Sequence, residues 1–286
     1  MRNRCVAAFV GLSLLWGSEW MLTASIPAQP HLRALAIRYG LGALLLLPWT
    51  IRRRIWRRPV RSIAIAILAG IGIVCLPQIL ISTSSRNLSP AVGLAAMAAV
   101  PVLLAISGRL SITTAVCGLA GVLFLAGNGL GIAMRQIPWL LLPLAAAGVL
   151  ALALTAVEKH LRGISIAEAL FVQCAISALL LWIVSLPEHQ PVTWSTPAAL
   201  GFLIDAAVMT VGGYLLFYWL LGKSGAVTVS MLQWTQPLIA TVESVVLLHI
   251  RPDWTAVLGA ILIVAATVGI FLNWDERGVI IEITQT

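Results

Sequence analysis

Long apolar stretches separated by short polar loops follow one another along the whole chain. About 20 consecutive apolar residues cross a bilayer as one helix, whereas membrane-spanning strands are shorter and alternate in polarity. The stretches do not alternate. The pattern therefore predicts an all-α membrane protein with ten transmembrane helices, at residues 5–24, 34–51, 62–82, 88–107, 111–130, 138–158, 166–186, 197–220, 226–248 and 253–273.

The composition supports this class of protein. Of the 286 residues, 60% are hydrophobic and 10% are charged, whereas about a quarter of a soluble domain is charged. The four cysteines lie in apolar stretches, and no Cys or His cluster predicts a metal or another cofactor. The net charge of +8 does not indicate a nucleic-acid partner, because the basic residues lie in short loops, where they set topology.

Lysine and arginine are distributed unevenly over these loops. With a cytoplasmic N-terminus, thirteen of the 18 fall on the cytoplasmic side, including the loop IRRRIWRRPVR after span 2. Four fall on the other side, and Arg38 lies within span 2. Cytoplasmic loops carry an excess of Lys and Arg. We therefore expect a multi-pass protein of the bacterial inner (cell) membrane with both termini in the cytoplasm.

Two halves of the chain resemble each other at a nearly constant offset. At an offset of 135, RYGLGALLLLP from Arg38 aligns with QCAISALLLWI from Gln173. At 136, Pro101 aligns with Pro237, and the segment from Gln78 aligns with the segment from Tyr214. Five helices per half is an odd number, so the second half must enter the membrane inverted, as in many transporters. This predicts two inverted five-helix repeats, 1–134 and 135–274, followed by a cytoplasmic tail, 275–286.

Four segments make the chain similar to a known family. They are LLWGSEW in span 1, RYGLGALLLLP in span 2, LSPAVGLAAMAAVPVLLAI in span 4 and SGAVTVSMLQWTQPLIATVESVVLL in span 9. With them the chain resembles the drug/metabolite transporter superfamily, in its ten-helix exporter branch. The resemblance implies export of small metabolites, often amino acids. Gln236 departs from it, because many members carry a carboxylate before this proline, so a proton-coupling role is not carried over to that position.

Span 9 places polar residues on one helical face. Ser230, Gln233, Gln236, Ala240 and Glu243 recur at intervals of three and four. Two interpretations stay open for the glutamines, which either line a substrate cavity or bond neighbouring helices. Glu243 lies nearer the outer end, where an interfacial role is equally open. Beside this face, Trp234 is a further candidate for substrate contact.

Spans 1 and 2 offer an aromatic residue and two opposite charges. Trp16 and Glu19 share one face of span 1, and Arg38 in span 2 is the obvious counter-ion for Glu19. Either the pair pins two helices together, or one of its members meets a charged group of the substrate. Both interpretations stay open.

Spans 3, 4 and 8 supply the remaining candidates. Tyr214 lies deep in span 8 and is a cavity candidate, and Gln78 of span 3 is its equivalent in the repeat. Tyr218 lies near the cytoplasmic end, where an aromatic belt residue is expected. Asp205 is nine residues before Tyr214, half a helical turn out of phase, so we expect it to point elsewhere. In span 4, Met97 either packs or contacts substrate.

Together these features predict a secondary exporter of small amphipathic metabolites, with amino acids, aromatic ones among them, as the first expectation. Tryptophan and tyrosine faces suit apolar groups, and amides with a carboxylate suit the ends of a zwitterion. Glu19, Asp205 and Glu243 are candidates for proton coupling. The alternatives are export of drugs or other metabolites and an intramembrane enzyme acting on lipid-linked substrates. We expect no enzyme, a monomer, and a small molecule and the lipid bilayer as partners.

Overall fold

The computed structural model describes residues 2–19, 21, 28–106, 108, 110–130, 133–160, 165–249 and 251–272. The expected tail, 275–286, lies outside them. Within these ranges the chain forms ten helices and no strand. The helices not interrupted by a break or a wide turn are α1 (Arg2–Gly17), α2 (His31–Arg52), α5 (Ile112–Ala126), α6 (Ile137–His160), α7 (Ile166–Val184) and α10 (Trp254–Leu272).

The other four helices are irregular. α3 (Val60–Ser84) is unbroken but contains a wide, π-helical segment, and α4 has two parts, Pro90–Met97 and Ala99–Ile106. α4 breaks because Pro101 has no N–H to bond the carbonyl one turn earlier. Gly225 has φ 80° and ψ 173°, which is not helical, and the next backbone N–H, that of Ala226, donates to Glu158 Oε1 at 3.3 Å. This glycine separates α8 (196–224) from α9 (226–247), where the hydropathy pattern predicts a boundary.

Six helical stretches are long and apolar enough to cross a membrane, and α4 and α5 are shorter apolar helices. The six stretches are His31–Arg52, Val60–Ser84, Met134–His160, Ile166–Val184, Thr196–Ser230 and Trp254–Leu272. The chain is therefore a multi-pass membrane protein built of helices.

Two helices contain a π-helical segment with more residues per turn than an α-helix. One is Gly70–Cys75 in α3, and the other is Asp205–Gly212 in α8. Their first residues are 135 positions apart, which equals the offset seen in the sequence. π-Segments are uncommon and frequently lie at functional sites. α2 packs on the segment of α8, and α7 packs on the segment of α3.

Helices that correspond in the two halves pack against each other. α2 lies antiparallel to α7, and a Cβ built on Gly42 would be 3.4 Å from Cys174 Sγ. α5 lies antiparallel to α10, where a Cβ on Gly259 would be 2.6 Å from the Gly121 carbonyl oxygen. Only glycine allows this second approach. α1 packs on α8 and α9, and α6 packs on α3 and α4.

The α2–α7 pair is held at both ends by buried or half-buried carboxylates. At one end Arg58 Nε donates to Glu168 Oε1 at 2.9 Å, and Glu168 is fully buried. At the other end the backbone N–H groups of Leu32 and Arg33 donate to the Glu188 carboxylate, each at 3.0 Å. Glu188 thus satisfies orphan donors at the start of α2. These contacts hold both ends of α2, the helix that carries Arg38, against α7.

Candidate functional site

Arg38 is the centre of a charged cluster where α1, α2 and α8 meet. Its side chain is buried, and its Nη1 contacts the Glu19 carboxylate, which follows the end of α1. The expected counter-ion is therefore in place. The contact is compatible with both interpretations of the pair, the structural one and the substrate-binding one.

Asp205 joins this cluster, so the expectation that it points elsewhere is wrong. Its Oδ1 lies 3.3 Å from Arg38 Nε, whose hydrogen is directed at Thr210 Oγ1, 2.6 Å away. The cause is the π-segment, which begins at Asp205. Each residue of a π-turn rotates the helix by less than an α-helical residue does, so a phase counted at 3.6 residues per turn no longer holds.

Among the described residues of the cluster, two carboxylates, those of Glu19 and Asp205, contact one guanidinium, that of Arg38. Asp205 Oδ1 is buried, and among the described residues nothing donates a hydrogen bond to it. A buried acceptor without a donor is costly. The arrangement therefore suits a further positively charged or hydrogen-bonding group.

Aromatic side chains cover the cluster on the α8 side. Trp16 Nε1 donates to the Met209 carbonyl at 2.9 Å, within the π-segment. Its ring lies 5.1 Å from the Tyr214 ring and 5.6 Å from Phe217. A Cβ on Gly213 would be 2.5 Å from Trp16 Nε1, so glycine admits the indole here. The structure thus brings together Trp16 and Tyr214, two of the predicted contact residues.

Tyr218 continues this aromatic row into the bundle and is not a belt residue. It is only 4% exposed, and its hydroxyl donates to Gln173 Oε1 at 2.7 Å. Its ring stacks on Tyr214, with the centroids 6.3 Å apart. Neither Tyr218 nor Gln173 is among the residues predicted to contact substrate. The alignment of QCAISALLLWI with the segment from Arg38 contained a signal for Gln173.

The α9 stretch lies against α1, and its polar residues have different surroundings. Thr235 Oγ1 is 2.9 Å from Ser13 Oγ, and Ser18 donates to the Glu243 carboxylate. Gln233 and Gln236 are partly exposed, and their side chains have no hydrogen-bond partner in the part of the chain that the structure describes. Their contact with substrate stays a prediction that this free hydrogen-bonding capacity favours.

Trp234 is packed between helices. It has no exposed surface, its Nε1 donates to the Ala98 carbonyl at 3.0 Å, and its ring occupies the space above Gly118. In this conformation Trp234 joins α9 to the break in α4 and to α5. It cannot also contact a substrate here, since none of its surface is accessible.

The remaining candidates lie in the first half. Gln78 in α3 is half-buried, and within the described ranges its amide has no hydrogen-bond partner. Met97 is 7% exposed and ends the first part of α4, which favours packing over substrate contact. The described residues contain no group of His, Cys, Asp and Glu suited to a metal ion.

Comparison with known proteins supports the resemblance seen in the sequence. Residues 137–272, slightly less than half of the chain, match the EamA-like transporter family. This match points to a membrane transporter of small molecules. None of the curated proteins matches the chain.

The whole chain is similar in fold to a solved protein. The relevant crystal structure has a TM-score of 0.80 and 19% identity, and the match covers 97% of this chain and 99% of the other. It is one of 26 chains of solved structures that match. At this identity the likeness shows the fold alone.

Proposed function

We propose that the protein is a secondary transporter that exports small amphipathic metabolites, with amino acids, aromatic ones among them, as the preferred class. The observation that carries this proposal is the meeting of the rings of Trp16 and Tyr214 with the charges of Glu19, Arg38 and Asp205. Rings suit an apolar side chain, and opposite charges suit the two ends of a zwitterion.

The architecture proposed for this function is two inverted five-helix repeats, 1–134 and 135–274. Three observations support it. The π-segments are 135 residues apart, α2–α7 and α5–α10 are antiparallel pairs of corresponding helices, and α1 packs on α8 and α9 as α6 packs on α3 and α4. Transporters of this architecture hold substrate between the halves and work by alternating access.

The proposed orientation has both termini in the cytoplasm of a bacterium. It rests on the basic loop IRRRIWRRPVR and on the uneven distribution of Lys and Arg. A single cysteine placed at Arg57, with the four native cysteines replaced, tests it. We expect no reaction with an impermeant maleimide in intact cells. Labelling from outside would contradict the orientation.

Asp205 Oδ1, which accepts no hydrogen bond from any described residue, supports a substrate that carries a positive group. An amino-acid ammonium provides one, and so does an amine drug, which keeps drug export as the alternative. A flux screen in proteoliposomes, covering the amino acids and phenethylamine with and without a pH gradient, tests the function. Saturable uptake of one or more amino acids is expected. Uptake of the amine alone would favour the drug alternative, and no saturable flux would reject both.

A further inference from the structure

Gln173 in α7 is a buried amide with one end unpaired. The residue is 1% exposed, and its only hydrogen bond among the described residues is with the Tyr218 hydroxyl. Nε2 is buried and has no partner there. Exchanging the amide oxygen and nitrogen would leave the other end unpaired instead. Because a buried polar group without a partner is destabilising, its presence points to a ligand.

This position is the counterpart of Arg38. The two residues are 135 positions apart, and each is the eighth residue of its helix, α2 or α7. Arg38 bonds Thr210 in the π-segment of α8. Gln173 lies against the π-segment of α3, where a Cβ on Gly70 would be 2.9 Å from Gln173 Cα. Each position therefore faces the π-segment of the opposite half.

A row of tyrosines connects the two positions. Tyr39 follows Arg38 in α2, and its hydroxyl oxygen is 3.5 Å from that of Tyr214. The Tyr214 ring stacks on Tyr218, which bonds Gln173. Arg38 and Gln173 each lie seven residues, or about 10 Å, from the start of their helix. Because the two helices are antiparallel, these depths are measured from opposite ends of the bundle. The row thus crosses the middle of the bundle.

The two ends of this row differ in accessibility. At the charged end the side chains of Glu19 and Asp205 are 34% and 22% exposed, although Arg38 itself is 7% exposed. At the amide end Gln173 and Tyr218 are 1% and 4% exposed, so the charged end is the more accessible of the two. This is the difference expected between the two sides of a substrate path in one state of alternating access.

We propose that Gln173 and Tyr218 form a second substrate position, which binds a carboxylate oxygen of the substrate and opens when the Arg38 end closes. The Gln173 amide donates to the oxygen, and the Tyr218 ring contacts the apolar part of the substrate. The position lies on the cytoplasmic side of the charged cluster in the proposed orientation, so an exported substrate meets it first. This inference rests on the proposed transport function.

The test is the double variant Gln173→Leu, Tyr218→Phe in proteoliposomes. Removing both partners leaves no new unpaired group, so the melting temperature should stay near that of the parent. Uptake of L-phenylalanine should fall roughly ten- to a hundredfold, the loss expected for one charged hydrogen bond. Uptake of L-phenylalaninol, which lacks the carboxylate, should fall much less. The matched control is Ser177→Ala, one turn further along, where a buried hydroxyl donates to the Gly70 carbonyl at 3.3 Å.

Three outcomes would overturn the inference. If the parent and the double variant transport phenylalanine equally, the second position is wrong while the transport function stands. Equal losses for phenylalanine and phenylalaninol, with a lowered melting temperature, would mean a structural role. If the parent transports no amino acid, the proposed amino-acid transport fails, and this inference fails with it.

Discussion

The charged cluster around Arg38 and the glutamines of α9 are both polar regions inside an apolar bundle, but their partners differ. At the cluster, Arg38 contacts Glu19, Thr210 and Asp205. In α9, neither Gln233 nor Gln236 has a side-chain hydrogen bond to a described residue. The paired groups contribute to folding before any substrate arrives. The unpaired groups keep their hydrogen-bonding capacity for a ligand, so their loss should affect transport more than folding.

The largest effect is expected from breaking the charged cluster. Arg38→Gln removes the guanidinium that both Glu19 and Asp205 contact. Removing one partner of a buried ion pair costs about 3–5 kcal/mol, and partial exposure of Glu19 places the expected loss near the lower value. Thermal unfolding in detergent measures it.

The control for this experiment is a double-mutant cycle. Adding Glu19→Gln should recover part of the lost stability, because the charge that Arg38 contacted is then also removed. Strictly additive shifts in melting temperature would mean that the Glu19–Arg38 contact carries no energy.

The second-largest effect is expected at the glutamines of α9, where a substitution should lower uptake and not stability. Gln233→Leu should leave the melting temperature close to that of the parent, because its side chain bonds no described residue. Uptake should fall roughly ten- to a hundredfold, as expected for a substrate that loses one hydrogen bond. Val246→Leu, at a position that is 61% exposed on the apolar side, serves as the control. A large loss of stability with unchanged uptake per folded protein would mean that Gln233 joins helices.

A smaller effect is expected at Trp234, which lies beside these glutamines but is enclosed. Trp234→Phe removes the hydrogen bond to Ala98 and retains an aromatic ring above Gly118. The free energy of unfolding should fall by about 1 kcal/mol, the usual net value of such a bond. The Michaelis constant for substrate should stay unchanged. A raised Michaelis constant without a loss of stability would identify Trp234 as a contact residue after all.

The smallest change in stability is expected at Asp205. Asp205→Asn removes a charge whose Oδ1 accepts no hydrogen bond from any described residue, so the melting temperature should stay level or rise. If Asp205 couples protons, uptake by the variant should no longer respond to a pH gradient that drives the parent. If uptake by the variant still responds to the pH gradient, proton coupling would be assigned to Glu19 or Glu243. If neither protein responds, the flux is facilitated.

The hydropathy pattern was sufficient to predict the helices and most boundaries, because each boundary has a local cause such as Gly225 or the loop with six arginines. Opposite charge was sufficient to predict the Glu19–Arg38 contact. The sequence did not predict the position of Asp205, because a π-segment changes the phase within a helix that looks regular. The sequence alone did not show that Trp234 packs between helices, because the space that its ring occupies above Gly118 depends on how α5 and α9 cross.

The most direct test of the proposed transport site is uptake of radiolabelled L-phenylalanine into proteoliposomes containing the parent, Gln233→Leu with Gln236→Leu, or Val246→Leu, each normalised to folded protein. The account predicts saturable uptake by the parent and by Val246→Leu, with uptake by the double variant lower by roughly ten- to a hundredfold or more. Equal uptake by all three would contradict the site. Absence of saturable uptake in the parent would contradict the amino-acid transporter itself.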